Sequence, residues 1–343
     1  MRSRGANLAA SVMATVRLEY YKGGIVMTIS KLTLVIVACL GLVLPARAQV
    51  FKLTQDQMIQ YTASNPFDRF PDGRPKVPDS ILQRVKDMSM EEVWGVEHMG
   101  FPSQYAGGWK ILHPDKKLVG RAVTLMLVPI RPEIAEVDHT GMGVTGGPAR
   151  GTGSAPPKAS GERMLTHQTA LDMLRPGDVF VVDARAIYGG VIGDNLATYI
   201  KDVGAGFVID GMIRDIDGIK DIDVAGYYRE AVPPALTNCM VAGINIPVTI
   251  GNVTVMPGDV VLGDAEGVYF IPPKVVQELV DKADEVHIHD EWTKMKFGQG
   301  SGPNGYKSTD IYGRPHDPAL VKEYEQYLKE HLDALHKQRQ QQQ

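Results

Sequence analysis

Three observations in this sequence predict an α/β fold. The segment VFVVD (179–183) is a short apolar run ending on a carboxylate, as a buried strand does, and Gly206–Asp210 reads as a second such strand. Between them a glycine-rich turn (ARAIYGGVIGDN) opens a helix, with Asp194 or Asn195 as its cap and Gly204 where it stops. The third observation is an internal echo: RPGDVFVVD (175–183) is repeated in kind by MPGDVVLGD (256–264). Each is a Pro-Gly turn, an Asp, a strand and a terminal Asp. The echo is too short for a solenoid and fits two similar strands entering one compact sheet structure.

The 343 residues suffice for one large domain or two small ones, and the charged and apolar fractions are ordinary for a globular protein. A net charge of −4 gives no basis for nucleic-acid binding. Residues 1–48 are expected to lie outside the fold. Met27–Lys31 followed by Leu32–Leu44 has the basic start and apolar core of a signal peptide, and Ala46-Arg-Ala48 supplies the cleavage residues. The apolar run is shorter than the roughly 20 residues needed to span a bilayer. The expectation is a mis-assigned start plus a signal peptide within residues 27–48, a mature chain from Gln49, a periplasmic or secreted location and no stable membrane anchor. Cleavage removes six Lys/Arg and one Asp/Glu, leaving a net charge of −9. Cys239 then remains as the single cysteine, without a disulfide partner, and reads as a small buried hydrophobe.

Residues 49–76 are polar and proline-bearing and read as an N-terminal arm. A helix from Asp79, its expected cap, runs to Met88 with Ile81, Val85 and Met88 on one face. Ser89–Glu92 is a capping-box pattern opening a second helix toward Met99, and Leu118–Val128 is a buried strand. The stretch 131–161 has glycine at nearly every third position and reads either as a mobile lid or as an unstructured insertion. Glu162–Met173 is expected helical, Ile244–Ile250 and Val268–Ile271 are expected strands, and Pro272-Pro273 ends the last strand while starting a helix over 274–297. A C-terminal extension (298–343) carries a last helix near 318–336 and a glutamine end expected to be disordered.

The chemistry concentrates around the first strand pair. Gly189, Gly190 and Gly193 at a helix start let backbone N–H groups approach an anion closely, or simply make a tight strand-to-helix turn. The spacing is neither a dinucleotide fingerprint nor a P-loop. Arg214 can grip a carboxylate bidentately, and Asp215, with Asp194 nearby, suits Mg2+ or Mn2+ held through oxygen and water. Being adjacent, Arg214 and Asp215 are expected to diverge rather than pair. The bland alternative is a helix cap beside a surface arginine.

These residues, with LVGRA (118–122), PGD (176–178), Asp210-Gly211 and VMPGDVVLGDAEGVYFIPP (255–273), resemble the RraA-like family over roughly 77–291. That family includes the 4-hydroxy-4-methyl-2-oxoglutarate aldolases. The resemblance implies a layered α-β-β-α sandwich of the swivelling β/β/α type over 77–297. It also implies a site in which Gly190, Val191, Ile192, Gly193 and Arg214 hold a small 2-oxo acid, Asp215 binds the metal and Asp194 orients a metal-bound water. A homotrimer or hexamer is implied, with an acidic residue supplied by a neighbour's C-terminal helix. Glu291, which shares a helix face with His287, is the candidate. The family's Arg-Asp motif carries a further acidic residue where this chain has Gly218. The function expected is a metal-dependent C–C lyase releasing pyruvate. The alternative is an exported, non-catalytic carboxylate-binding or scaffold protein.

Overall fold

The computed structural model describes residues 20–21, 24–25, 51–137, 140, 165–299, 309–310, 313–316 and 318–342. The chain divides into two compact units, Met1–Ala48 and Gln49–Gln343. In the first, β1 (Tyr20–Tyr21) pairs antiparallel with β2 (Gly24–Ile25). The expected signal-peptide core, Leu32–Leu44, lies outside the described residues. Among the described residues no helix is long and apolar enough to cross a membrane.

The strands of the second unit are β3 (Tyr105–Ala106), β4 (Lys110–Ile111), β5 (Leu118–Pro129), β6 (Asp178–Asp183), β7 (Gly206–Ile213), β8 (Ala225–Ala231), β9 (Cys239–Ile244), β10 (Val248–Ile250), β11 (Val253–Val255), β12 (Val260–Gly263) and β13 (Val268–Ile271). Nine of them form one sheet in the order β3-β13-β12-β5-β6-β7-β8-β4, with β9 also on β5, while β10 and β11 form a separate hairpin. β5 through β8 run parallel. β12 pairs antiparallel with the first part of β5, at Leu118–Arg121, and β9 with its last part, at Leu125–Pro129. One long strand thus changes partner midway, and the sheet curls.

Strict alternation of side chains turns that curl into layers. In β6, Val179 and Val181 face an inner core while Phe180 and Val182 face outward. In β12, Val261 faces the same inner core while Val260 and Leu262 face the other way. The helices cover the two outer faces. They are α1 (Gln55–Tyr61), α2 (Asp79–Asp87), α3 (Met90–Val93), α4 (Pro132–Val137), α5 (His167–Leu171), α6 (Asp194–Val203), α7 (Ile216–Ile219), α8 (Pro273–Gly298) and α9 (Pro318–Gln342). Ala197 and Ile200 of α6 and Ile219 of α7 close one outer core; Ile81 and Val85 of α2 and Val276 and Leu279 of α8 close the other. The result is the α-β-β-α layering implied by the resemblance.

Several local expectations are corrected. The 49–76 arm carries a helix, α1, whose cap Thr54 forms a reciprocal box with Gln57. It also delivers Arg74 into the body, where the guanidinium is fully buried against Asp178 at 2.8 Å. Pro78, not Asp79, occupies the cap of α2, and the Asp79 carboxylate instead accepts from Arg121 at 2.8 Å. The strand read over 244–250 is broken after Ile244, because Asn245 turns the backbone left-handed (φ 50°). The helix read over 162–173 is confined, among described residues, to α5. The last helix continues past His336 to Gln342 rather than giving way to a disordered end. Most of the 131–161 insertion lies outside the described residues; α4 falls within it, as does Thr140, whose hydroxyl accepts the Val241 amide at 2.9 Å.

Candidate functional site

The C-terminal ends of β6 and β7 lie side by side, with Asp183 registered against Asp210. In parallel sheets this is the edge where ligands are usually held. β6 leads through the glycine loop into α6, and β7 leads into Arg214 and Asp215. The loop returns against β7: the Val191 amide donates to the Met212 carbonyl (2.8 Å), and the Arg214 amide donates to the Ile192 carbonyl (2.9 Å).

The approach is too close for side chains. A Cβ on Gly190 would lie 2.7 Å from the backbone nitrogen of Arg214, and one on Gly193 would lie 2.4 Å from Oδ2 of Asp215. The glycines therefore serve contact between two backbones, not merely a tight turn. Two of the loop's amides are committed, Gly190 to the Pro234 carbonyl (2.8 Å) and Val191 to Met212. The Val191 and Ile192 side chains are buried in the core. Among the described residues the amides of Gly189, Ile192 and Gly193 have no hydrogen-bond partner and remain available as donors.

Arg214 and Asp215 do not diverge. Asp215 adopts the left-handed region (φ 56°, ψ 39°), and this swings its carboxylate to within 3.4 Å of Nε of Arg214. Both side chains remain more than a third exposed. Among the described residues no partner takes the outer guanidinium N–H groups of Arg214, so they can fork onto a carboxylate. An open cavity of about 300 Å3 adjoins them, lined by Asp215, Asp217, Gly218, Val232 and Pro233.

Asp194 does not cap α6. Gly193 holds the cap position, and Asp194, in the first turn, accepts the Asn195 amide at 2.8 Å. Its side chain faces Gly218, whose added Cβ would stand 3.2 Å from that of Asp194. The space of the family's further acidic residue therefore borders Asp194. Glu291 is not gathered with these groups within one chain. It lies on α8, which packs on the opposite outer core, and pairs with His287 at 3.4 Å. Among the described residues no three His, Cys, Asp or Glu side chains are grouped to hold a metal ion.

Two features escaped the sequence reading. The segment 231–235 supplies the Pro234 carbonyl to Gly190 and lines the cavity through Val232 and Pro233. Its paired prolines were the available signal. Asp183 and Asp210 are each paired with an arginine, Asp183 with its near neighbour Arg185 and Asp210 with Arg229 from β8. Arg229 reaches Asp210 at 2.7 Å while its guanidinium stacks 3.5 Å over the Trp109 ring, and Arg185 reaches Asp183 at 3.1 Å. The hydrogen bonds that Arg185 donates to Asp183 raise its pKa above the ordinary value. Cys239, as expected, is fully buried, and burial pushes its thiol up to about 11.

The family profile described as RraA-like: Aldolase/RraA matches residues 85–270, more than half of the chain. A protein of Halalkalibacterium halodurans named as a candidate 4-hydroxy-4-methyl-2-oxoglutarate aldolase is 35% identical over 135 residues, 39% of this chain and 64% of its own length. A protein of Ectopseudomonas mendocina carrying the same name is 32% identical over 107 residues, 30% of this chain and 64% of its own length. The chain thus spans less than two thirds of these relatives. Among solved structures, Streptomyces coelicolor RraAS2, described as an unusual member of the RNase ES inhibitor RraA protein family, superposes with a TM-score of 0.52 at 24% identity. That match covers 64% of this chain and 99% of RraAS2, and it shows a common fold. Sequence match and layered architecture agree, and this chain belongs to the RraA-like family.

Proposed function

We propose that this protein is a divalent-metal-dependent lyase that cleaves a C–C bond of a small 2-oxo acid, by retro-aldol cleavage or decarboxylation, and releases pyruvate. The observation that carries the reading is the contact of the glycine loop with the Arg-Asp pair. A Cβ at Gly190 or Gly193 would strike Arg214 or Asp215, so the loop backbone, a guanidinium and a carboxylate lie packed together, with an open cavity beside Asp215. The names of the sequence relatives support the aldolase class.

In this reading the outer N–H groups of Arg214 hold the substrate carboxylate, and the amides of Ile192 and Gly193 steady its oxygens. Asp215 is the protein ligand for Mg2+ or Mn2+. One or two carboxylates completed by water and substrate suffice for such an ion, and the oxygen donors at 194 and 215 fit that chemistry. When bound, the ion supplies an electron sink at the 2-oxo group. Asp194 orients water, and it faces Gly218, which stands where the family's motif carries a further acid. Glu291 serves as the acid of a neighbouring subunit in a trimer or hexamer. The chain is exported through a signal peptide within residues 27–48 and acts in the periplasm or outside the cell.

The test is pyruvate release from 4-hydroxy-4-methyl-2-oxoglutarate and from oxaloacetate, with Mg2+, with Mn2+ and with EDTA, beside Arg214→Ala and Asp215→Ala. Metal-dependent turnover lost in both variants is the expected result. Metal-dependent binding of pyruvate without turnover would replace the lyase with a carboxylate-binding protein, a reading that Gly218 in the acidic position favours. Absence of both would overturn the site.

A further inference from the structure

The two Pro-Gly-Asp turns are built alike, down to individual hydrogen bonds. The Asp178 amide donates to the Arg175 carbonyl (2.9 Å) and the Asp259 amide to the Met256 carbonyl (3.1 Å). Each carboxylate in return accepts the amide of that same residue, Asp178 from Arg175 (3.1 Å) and Asp259 from Met256 (2.8 Å). Gly177 and Gly258 both take the left-handed conformation such a turn requires at its third position (φ 80° and 90°). Both turns hang on neighbouring residues of β5, through Arg121 N to Gly177 O and Gly258 N to Ala122 O, each 2.9 Å. Both carboxylates are buried, 0% and 4% exposed.

They differ in what neutralises them. Asp178 receives two guanidinium groups, Arg74 at 2.8 Å and Arg121 at 3.2 Å. Asp259 has no Lys, Arg or His within ion-pair distance among the described residues. It lines a cavity of about 340 Å3 instead, together with Asn65, Phe101, Gln104, Thr254 and Lys274. A second acceptor there is also unmet: Oε1 of Gln104 is buried without a hydrogen-bond partner. Lys274 lines the same cavity, but its ammonium lies 6.0 Å over the Phe101 ring and makes no ion pair with Asp259.

A buried carboxylate left without a counter-charge is costly, and an unmet amide oxygen adds to that cost. Burial accordingly raises the Asp259 pKa to about 7, against the pull of the Met256 amide. Two acceptors, one of them anionic, in a cavity of ligand size with an aromatic wall call for a compact donor-rich cation.

We infer that this cavity binds a small organic cation, a guanidinium or primary ammonium group on a short alkyl chain, which gives Asp259 the charge that Arg74 and Arg121 give Asp178. The site shares no residue with the proposed substrate site and does not depend on that reading.

Calorimetric titration of the intact, full-length protein with agmatine and with methylguanidinium, above pH 7 where Asp259 is ionised, tests it. Saturable binding is expected, weakened by roughly tenfold or more in Asp259→Asn and in Gln104→Leu, as loss of a charge-assisted or buried hydrogen bond implies. Gln104→Leu leaves the turn intact, so it keeps the test valid if Asp259→Asn fails to fold. Arg214→Ala is expected to bind as the unmodified protein does. No saturable binding by the unmodified protein, or binding unchanged in both cavity variants, would overturn the inference. So would binding that emerges only in Lys274→Met, which would identify Lys274 as the cavity's own cation.

Discussion

Gly193→Ala and Gly190→Ala place the same methyl group three residues apart, yet they should fail in different ways. At 193 the added Cβ would stand 2.4 Å from the carboxylate tip of Asp215, where ordinary contact begins near 3.4 Å. The backbone there is extended (φ −122°), so alanine is conformationally tolerated, and the obstacle is the end of a side chain that is 40% exposed. The carboxylate yields by about 1 Å, and a displacement of that size at a reacting centre costs on the order of 100-fold in rate. Stability should fall by only about 1 kcal/mol, the scale of changing a helix cap residue. At 190 the methyl meets the backbone nitrogen and Cβ of Arg214, both 2.7 Å away, and neither can swing aside. The strand end must shift, at roughly 1–3 kcal/mol. Initial rates of pyruvate release and urea unfolding midpoints, measured on both variants, separate the two effects. Wild-type activity in Gly193→Ala, or equal losses of stability in the two variants, would refute this account of why the loop is glycine.

Two further outcomes concern buried charge. Asp178→Asn should cost about 3–5 kcal/mol, because it strands the buried Arg74 and Arg121 without their shared counter-charge; a loss below about 1 kcal/mol in denaturant unfolding would contradict the pairing. His167 is buried, and desolvation lowers its pKa from 6.5 to about 4. The folded state therefore binds fewer protons than the unfolded chain between those values. Its stability contribution is complete above pH 6.5 and is lost as pH falls toward 4, by at most roughly 3 kcal/mol. Unfolding free energies measured across that window should decline in the unmodified protein and stay flatter in His167→Gln.

What could be read from the sequence was what neighbouring residues decide. The Val179–Asp183 strand, the Ser89–Glu92 capping box and the Pro272-Pro273 junction all stand as expected, because each depends on residues within a few positions. What could not be read depends on distance or on backbone sign. Arg74 and Asp178 are 104 positions apart, and no local pattern shows that a polar arm will bury its arginine under a strand start. Nothing in the order of Arg214 and Asp215 reveals a left-handed aspartate that turns two adjacent side chains toward each other. The glycine loop was legible as an anion cradle, but not which amides the fold consumes; that required knowing that the 234 carbonyl returns to position 190.

β5 carries a consequence for how the chain is made. Its parallel partner β6 and the strands beyond it, β7 and β8, are complete by Ala231, whereas the strand that covers its opening edge, β12, begins only at Val260. During synthesis, then, Leu118–Arg121 waits beside a nearly finished sheet with one row of peptide groups unpaired. Closing that row joins residues some 140 positions apart, so it is a late and slow event. Until then the open edge is the place where a nascent copy is most exposed to pairing with another chain. Folding yield, more than final stability, should respond to substitutions that hasten or delay the arrival of β12.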